Sequence, residues 1–219
     1  ISGIPFLMEY KKNGRRVFDT IPVNDKCNAK SLTFNGAYEI FEDRENSLWV
    51  GTTDGVIRFT PDADLFSNYL LQKDGNSPLE EQATLALYER KNGEVWIGCG
   101  NAGLYTYAND FTPITAKGDP VANFPAKTAW SIYEHRQTGL IWMGISKGQL
   151  AVYDPQTGKI DAWSEPMFNN KPAVKIVEDK NGNLWFVTRS DNNSSRFIKW
   201  DRKLAGDNYK KEFILIKEI

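Results

Sequence analysis

Residues 42–52 read EDRENSLWVGT, and versions of this phrase return three times further along the chain. The later versions are ERKNGEVWIG at 89–98, EHRQTGLIWMG at 134–144 and EDKNGNLWFV at 178–187. Their tryptophans, at positions 49, 96, 142 and 185, follow one another at intervals of 47, 46 and 43 residues. A period in the forties with one tryptophan per unit is typical of a repeat protein, so the repeat decides the fold before any single motif does.

The composition is that of an all-β protein with a net charge close to zero. The chain has 219 residues, a formal net charge of −1, 13% aromatic residues and seven tryptophans. The high aromatic content suits large side chains packed between sheets. The near-zero charge gives no electrostatic reason to expect direct nucleic-acid contact by this segment. Because no apolar run reaches the roughly 18–20 residues that span a bilayer, membrane attachment is expected only through segments outside this one.

Each repeat unit divides into four short apolar runs separated by tight polar turns. In the unit around Trp49 these runs are 37–42, 48–52, 56–59 and 65–71. Four short strands in this order form an antiparallel meander. Because one such sheet cannot bury both of its own faces, the units are expected to stack radially as a β-propeller.

The predicted fold class is therefore all-β, a β-propeller of four-stranded antiparallel blades. Residues 4–21 resemble the third and fourth strands of a blade, so the chain is expected to begin inside one and to hold about four and a half blades of a larger ring. Ile216-Lys217-Glu218 also fits a first-strand pattern, although the long gap after Trp200 favours a fourth strand. The expected divisions are a half blade at 1–25 and blades at 36–71, 83–116, 128–165 and 172–216.

Residues that recur in every unit are expected to build the repeat rather than a binding site. The tryptophan of each second strand is therefore predicted to pack between adjacent blades. A turn or strand-end role is predicted for the acidic residue that ends each first strand, at Glu42, Glu89, Glu134 and Glu178.

Little in the sequence supports a metal centre or a redox function. Two cysteines, Cys27 and Cys99, are too few for a disulfide framework, and Cys99 is expected to be a small buried residue. His135 is the one histidine, and it stands in a turn without the further ligands that a structural zinc site needs. We therefore predict no catalytic residue, no metal and no cofactor in this segment.

The repeat resembles that of two-component regulator propellers. Residues 42–57 and 178–188 fit its pattern best: hydrophobic-x-Glu-Asp-x-x-Gly-x-Leu-Trp-hydrophobic-Gly-Thr-x-x-Gly-hydrophobic. The resemblance covers nearly the whole chain and implies a ring of about seven blades. It also implies a periplasmic sensor domain of an inner-membrane-anchored hybrid two-component system, working as a homodimer in the full-length receptor. Many members sense oligosaccharides and control polysaccharide utilisation genes, so the resemblance implies an oligosaccharide ligand and no enzymatic activity in this segment.

Three features depart from the family pattern. Cys99 stands where threonine is usual, and Val187 stands where glycine is usual. The last unit carries an insertion, residues 189–195, that the other units lack. Because the insertion occurs once, it is the first choice for a ligand contact.

Ligands of propellers usually bind the face that holds the loops from second to third strands and from one blade to the next. Arginine, aspartate and asparagine in these loops can hydrogen-bond to sugar hydroxyls, and arginine can also bind a uronate. An aromatic residue at the start of a first strand can stack on a sugar ring. The predicted ligand-binding residues are Arg189, Asp191, Asn192, Asn101, Lys147, Asp54 and Trp130.

Two other functions fit parts of the sequence. A propeller lyase would resemble the streptogramin lyases, which share the Gly-Asn-Leu-Trp-Phe at 182–186. A lyase needs a central acid/base group, however, and His135 is expected in a turn on the opposite face. A protein-interaction scaffold would use apolar loop residues such as Phe124, Met167 and Phe168, which can equally pin their loops to the rim.

Overall fold

Among the described residues, regular structure is almost entirely β-strand, which confirms the all-β prediction. The chain divides into two compact units, Ile1–Thr84 and Leu85–Ile219. None of the described residues forms a helix with the length and hydropathy of a membrane span. The computed structural model describes residues 7–10, 18–21, 36–44, 47–53, 55–59, 66–69, 83–108, 112, 114, 123–189 and 194–219.

The first unit holds a two-stranded sheet and a four-stranded meander. The strands are β1 (Leu7–Tyr10), β2 (Phe18–Ile21), β3 (Ala37–Glu42), β4 (Leu48–Thr52), β5 (Gly55–Phe59) and β6 (Phe66–Tyr69). β1 pairs with β2, and the meander has the order β3-β4-β5-β6. Thr52 closes the tight turn between β4 and β5, because its hydroxyl donates to the carbonyl oxygen of Gly55 at 2.9 Å.

The second unit holds three sheets, each with its strands in chain order. Blade A is β7 (Thr84–Glu89), β8 (Val95–Cys99) and β9 (Gly103–Tyr107), and β7 begins on the last residue of the first unit. Blade B is β10 (Ala129–Glu134), β11 (Ile141–Ile145), β12 (Gln149–Asp154) and β13 (Lys159–Ser164). Blade C is β14 (Ala173–Glu178), β15 (Leu184–Thr188), β16 (Arg196–Trp200) and β17 (Phe213–Glu218). A 3-10 turn (Pro166–Phe168) lies between blades B and C, and α1 (Arg202–Ala205) lies between β16 and β17.

The sequence left the fourth strands of blades C and A less clearly defined than the other strands. β17 pairs with β16 along its length, so residues 213–218 form a fourth strand, as the gap after Trp200 favoured. The gap itself contains α1, which Asp201 caps by accepting the N–H of Leu204. The predicted fourth strand of blade A, 111–116, falls mostly outside the described residues. Ile114 nevertheless donates its N–H to the carbonyl oxygen of Thr106 at 2.9 Å.

Two of the second-strand tryptophans, Trp96 and Trp142, pack between adjacent blades, as predicted. Trp96 is 1% exposed, and its ring lies 5.5 Å from that of Tyr153 in blade B. Trp142 is completely buried, and its ring lies 4.9 Å from that of Trp200 in blade C. Trp185 differs, because it is half-buried and stacks on Phe197 of its own blade at 5.1 Å.

The glycine two residues after Trp96 and after Trp142 allows the next first strand to approach closely. A Cβ atom on Gly98 would lie 2.6 Å from the carbonyl oxygen of Ala129, at the start of β10. A Cβ atom on Gly144 would overlap the carbonyl oxygen of Ala173, at the start of β14. The glycine of the repeat is therefore a packing requirement, and Val187 occupies the corresponding position in blade C.

Candidate ligand-binding site

First strands carry a one-residue bulge at their second position. In β10 the pairing with β11 shifts between Ala129 and Ser131, which leaves Trp130 as the extra residue. Tyr38 in β3 and Val174 in β14 occupy the same place in their strands. A bulge redirects the side chain of its extra residue. The repeat therefore provides a distinct backbone position at which the residue type differs from one copy to the next.

Trp130 and Arg189, two residues predicted separately, lie against each other. Cζ of the Arg189 guanidinium lies 5.0 Å from the centroid of the Trp130 ring, a cation–π contact. Trp130 belongs to blade B, whereas Arg189 follows β15 of blade C and donates its N–H to the carbonyl oxygen of Pro172 at 2.9 Å. The pair therefore bridges two blades.

The Arg189 guanidinium covers one face of the Trp130 ring, on which a sugar was expected to stack. Arg189 is exposed and Trp130 is half-buried. The indole Nε1 of Trp130 is buried and has no hydrogen-bond partner among the described residues. A sugar could stack on that face only by displacing the guanidinium. Hydrogen bonding by arginine is therefore better supported here than stacking on the indole.

Asn101 and Lys147 occupy the same position in two repeats, each five residues after its tryptophan. Both side chains are exposed, and both backbones are left-handed, with φ of 63° and 62°. Asparagine adopts this conformation readily, whereas a lysine is strained there by about 1 kcal/mol. Asn101 also donates its N–H to the hydroxyl of Thr128 at 3.2 Å, which ties the turn to the segment before β10. Asp54, Asp191 and Asn192 lie outside the described residues and stay predictions.

The loop between β13 and β14 (residues 165–172) lies beside the Lys147 turn. Glu165 donates its N–H to the carbonyl oxygen of Gly148 at 3.1 Å. Asn169 and Asn170 are exposed and left-handed, with φ of 50° and 59°. Neither was among the predicted site residues, although a pair of asparagines a few residues after a proline is a turn signal that sequence can reveal.

Basic side chains connect this loop to the β15–β16 connection. Nζ of Lys171 donates to the carbonyl oxygen of Ser194. The guanidinium of Arg196 donates to the carbonyl oxygen of Met167 at 3.0 Å and pairs with the Glu218 carboxylate at 3.3 Å. These contacts join three neighbouring loops of blades B and C into one surface, which we call the loop face.

Carboxylates on the loop face are held in place by neighbouring donors or by burial. Hydrogen bonds from Arg196 and Ser194 lower the pKa of Glu218. Burial raises the pKa of Glu165, whose side chain accepts the N–H of Met167 at 3.2 Å. The described residues of this face include these two carboxylates and four cations, Lys147, Lys171, Arg189 and Arg196.

At the opposite edge of the blades, the repeated glutamates have a structural role. Glu134 accepts the N–H of Lys91 at 3.2 Å, and Glu178 accepts the N–H of Arg136 at 2.9 Å. Each bond joins the end of a first strand to the turn of the preceding blade. The strand-end prediction is confirmed for these two residues.

His135 is a packing residue of the same edge. It is completely buried, and its two ring nitrogens bond to the hydroxyl of Thr138 at 2.8 Å and the carbonyl oxygen of Gly182 at 2.9 Å. Its ring also contacts Trp200 edge-on at 5.6 Å. Both ring nitrogens are therefore engaged, and the bond to Gly182 joins blade B to blade C.

The aspartate of the repeated Glu-Asp pair accepts the indole N–H of its own tryptophan. This bond is 2.7 Å from Trp49 to Asp43 and 3.0 Å from Trp185 to Asp179. Burial opposes ionisation of Asp179, but hydrogen bonds from Asn183, Trp185 and Asn181 outweigh it and hold its pKa well below the usual range.

Replacement of Asp179 by asparagine is expected to lower the free energy of unfolding at pH 7 by about 1–2 kcal/mol, because hydrogen bonds to a charged acceptor are lost. The folded-state pKa is depressed, so the contribution is fully present above the unfolded pKa of about 4 and is lost progressively as pH falls from there through the folded-state pKa. Urea unfolding between pH 3 and 7 measures this difference, which should narrow at acid pH. Asp207→Asn, at an exposed turn residue, is the matched control. An unchanged difference at pH 3 would contradict the electrostatic account.

Comparison with protein families identifies the repeat. Residues 31–54 and 167–190 match the family model described as the two component regulator propeller. The resemblance inferred from the tryptophan phrase is thereby confirmed. No curated protein matches the chain.

Solved structures with a similar fold include bacterial extracellular domains. One is described as the extracellular domain of the putative hybrid two component system BT3049 from B. thetaiotaomicron, with 21% identity, a TM-score of 0.64 and coverage of 97% of this chain and 28% of that one. Another is described as the extracellular domain of the putative one component system BT4673 from the same organism, with 16% identity, a TM-score of 0.63 and coverage of 97% of this chain and 32% of that one. The RRP9 WD40 repeats share 7% identity, with a TM-score of 0.59 and coverage of 82% and 50%. These likenesses confirm the propeller fold, and the chain spans about a third or less of the two bacterial proteins.

Proposed function

The chain carries repeats of the two component regulator propeller family, and from that premise we propose that it belongs to an extracytoplasmic ligand-sensing domain. The proposed ligand is an oligosaccharide, and the proposed output is control of polysaccharide utilisation genes. The domain would lie in the periplasm, anchored to the inner membrane by another segment, and the full-length receptor would be a homodimer. The descriptions of the bacterial neighbours as extracellular domains support this location.

The contact between Arg189 and Trp130 is the observation that carries the proposal. The two side chains come from different blades and are not repeat residues, so the packing of the repeat does not account for them. The ring holds the guanidinium against one face, and the N–H donors of a guanidinium lie in its plane, a geometry that suits paired hydrogen bonds with sugar oxygens.

A ligand at this place can report its presence because it would contact two blades. A ligand shifts a conformational equilibrium only if it binds one arrangement better than another. Contacts to both Arg189 and the loop before β14 would favour one relative position of blades B and C. We propose that this preference is passed to the dimer and changes its output.

The same geometry supports a function without catalysis. A propeller lyase would need an accessible acid or base, but His135 is buried and both its ring nitrogens are hydrogen-bonded.

A protein-interaction scaffold is the second candidate, and one observation favours it. β17 exposes three consecutive apolar side chains, Ile214, Leu215 and Ile216. Of the loop residues first considered, Phe168 is completely buried, Phe124 is half-buried and Met167 is exposed. Phe168 therefore pins its loop, and the apolar surface for a protein partner is β17. Size-exclusion chromatography with and without neighbouring domains would detect such a partner.

The test is a thermal-shift screen of the propeller against an oligosaccharide panel. A ligand at 100 times its Kd should stabilise the fold by about 2.7 kcal/mol. Arg189→Ala is then expected to weaken binding by about tenfold or more, because hydrogen bonds from a charged donor are lost. Arg189→Lys should recover only part of the affinity, since an ammonium cannot form the paired bonds.

Lys203→Ala is the control, because Lys203 is an exposed cation on α1 at the opposite edge of blade C. It should leave binding unchanged. If a glycan binds with the same affinity to wild type and Arg189→Ala, the site is elsewhere. If a cooperatively melting protein responds to no glycan, the scaffold function is preferred.

A further inference from the structure

We propose that the loop face recognises an acidic oligosaccharide, bearing carboxylate or sulfate groups, and that Lys147 and Arg189 select for its charge. This inference rests on the proposed function and adds the chemical class of the ligand.

The first step is that these cations share one surface. The Lys147 turn contacts the β13–β14 loop through the bond from Glu165 to Gly148. The same loop ends at Pro172, whose carbonyl oxygen accepts the N–H of Arg189. The two basic residues are therefore linked by one short segment, residues 165–172.

The second step is that the positive charge is local. The whole chain has a net charge of −1. The described loop face nevertheless holds four cations, Lys147, Lys171, Arg189 and Arg196, and only two carboxylates, Glu165 and Glu218. Glu218 forms an ion pair with Arg196. A surface of one sign concentrates ligands of the opposite sign.

The third step concerns Lys147, which is placed where a lysine is unfavourable. Its backbone has φ of 62°, and the corresponding residue of blade A is Asn101, with φ of 63°. Asparagine supports this conformation with less strain than lysine. Lys147 is exposed and has no hydrogen-bond or ion-pair partner among the described residues. Nothing in the packing of the blade requires its ammonium group, which points to a role outside the fold.

The fourth step is the match between donors and ligand. Arg189 offers a planar guanidinium held against Trp130, which suits a carboxylate or sulfate. Lys147 offers a point charge on a flexible stem. The exposed amides of Asn169 and Asn170 lie in the segment between them and can bond to sugar hydroxyls.

Isothermal titration of the propeller with three tetrasaccharides tests the inference: tetragalacturonate, a chondroitin sulfate tetrasaccharide and neutral galactotetraose. We expect at least one acidic sugar to bind about tenfold or more tightly than galactotetraose, with an affinity that falls as salt rises. The two acidic probes separate carboxylate from sulfate recognition.

Lys147→Asn, which copies the residue of blade A, gives the sharpest variant. It should weaken binding of the acidic sugar by about three- to fivefold, as for an exposed ion pair, while the melting temperature stays equal or rises. Lys147→Arg should bind like wild type. Lys203→Asn removes the same charge at the opposite edge and should change nothing.

Two results would overturn the inference while the proposed function stands: equal binding of galactotetraose and the acidic sugars, or unchanged affinity in Lys147→Asn. If a cooperatively folded protein binds neither these sugars nor any other saccharide, the proposed function itself fails.

Discussion

Replacement of Trp142 by alanine is expected to lower the free energy of unfolding of the second unit by about 3–5 kcal/mol. The side chain is completely buried, and its ring lies 4.9 Å from Trp200, 6.0 Å from Phe186 and 6.4 Å from Phe213. All three neighbours belong to blade C. The truncation would leave a cavity between two sheets, which cannot close without moving one sheet toward the other. Urea unfolding followed by circular dichroism measures the loss.

Trp185→Ala is the matched control, because Trp185 holds the same place in blade C but is only half-buried. Its removal should cost about 1–2 kcal/mol, from partial burial and one hydrogen bond to Asp179. Trp142→Phe should cost less than Trp142→Ala, since the Trp142 indole N–H has no hydrogen-bond partner among the described residues. Equal losses for the two alanine variants would contradict a special role for Trp142 between blades.

The elements of the repeat could be predicted because a residue that recurs in every unit meets the same neighbours in every unit. This reasoning placed Trp96 and Trp142 between blades, and Glu134 and Glu178 at strand ends. It is weaker where a unit departs from the repeat. The long gap after Trp200 was assigned no structure, but Asp201 caps α1 there and the last strand begins at Phe213.

For the candidate site, the sequence indicated single residues but not the contact between them. Trp130 and Arg189 were predicted one at a time, because each differs from its counterparts in the other units. Their contact depends on how blade C stacks on blade B and on the bulge in β10, and no pattern in a single sequence encodes the stacking distance. The left-handed turn at Lys147, in contrast, has a signal in the sequence. Asn101 holds the equivalent position, and a glycine follows Lys147 directly.

Replacement of Gly144 by alanine is the other change with a large expected effect. It should lower the free energy of unfolding by about 3 kcal/mol, at the upper end for overpacking, because the obstacle is backbone. The new Cβ would overlap the carbonyl oxygen of Ala173 and lie 2.6 Å from Oγ of Ser131. That hydroxyl donates to the same carbonyl at 2.7 Å, so the methyl group would push apart a bonded pair that joins blades B and C. Thermal and urea unfolding measure the effect.

Gly139→Ala separates this clash from the general cost of replacing glycine. Gly139 has a left-handed φ of 71°, but a Cβ atom added there would meet no described atom within 4 Å, so its replacement should cost only about 1 kcal/mol of backbone strain. Ser131→Ala identifies the obstacle. If the serine hydroxyl were the main barrier, Ser131→Ala would rescue Gly144→Ala. If the Ala173 carbonyl is the barrier, as the geometry indicates, the double variant should remain as unstable as the sum of the two single changes.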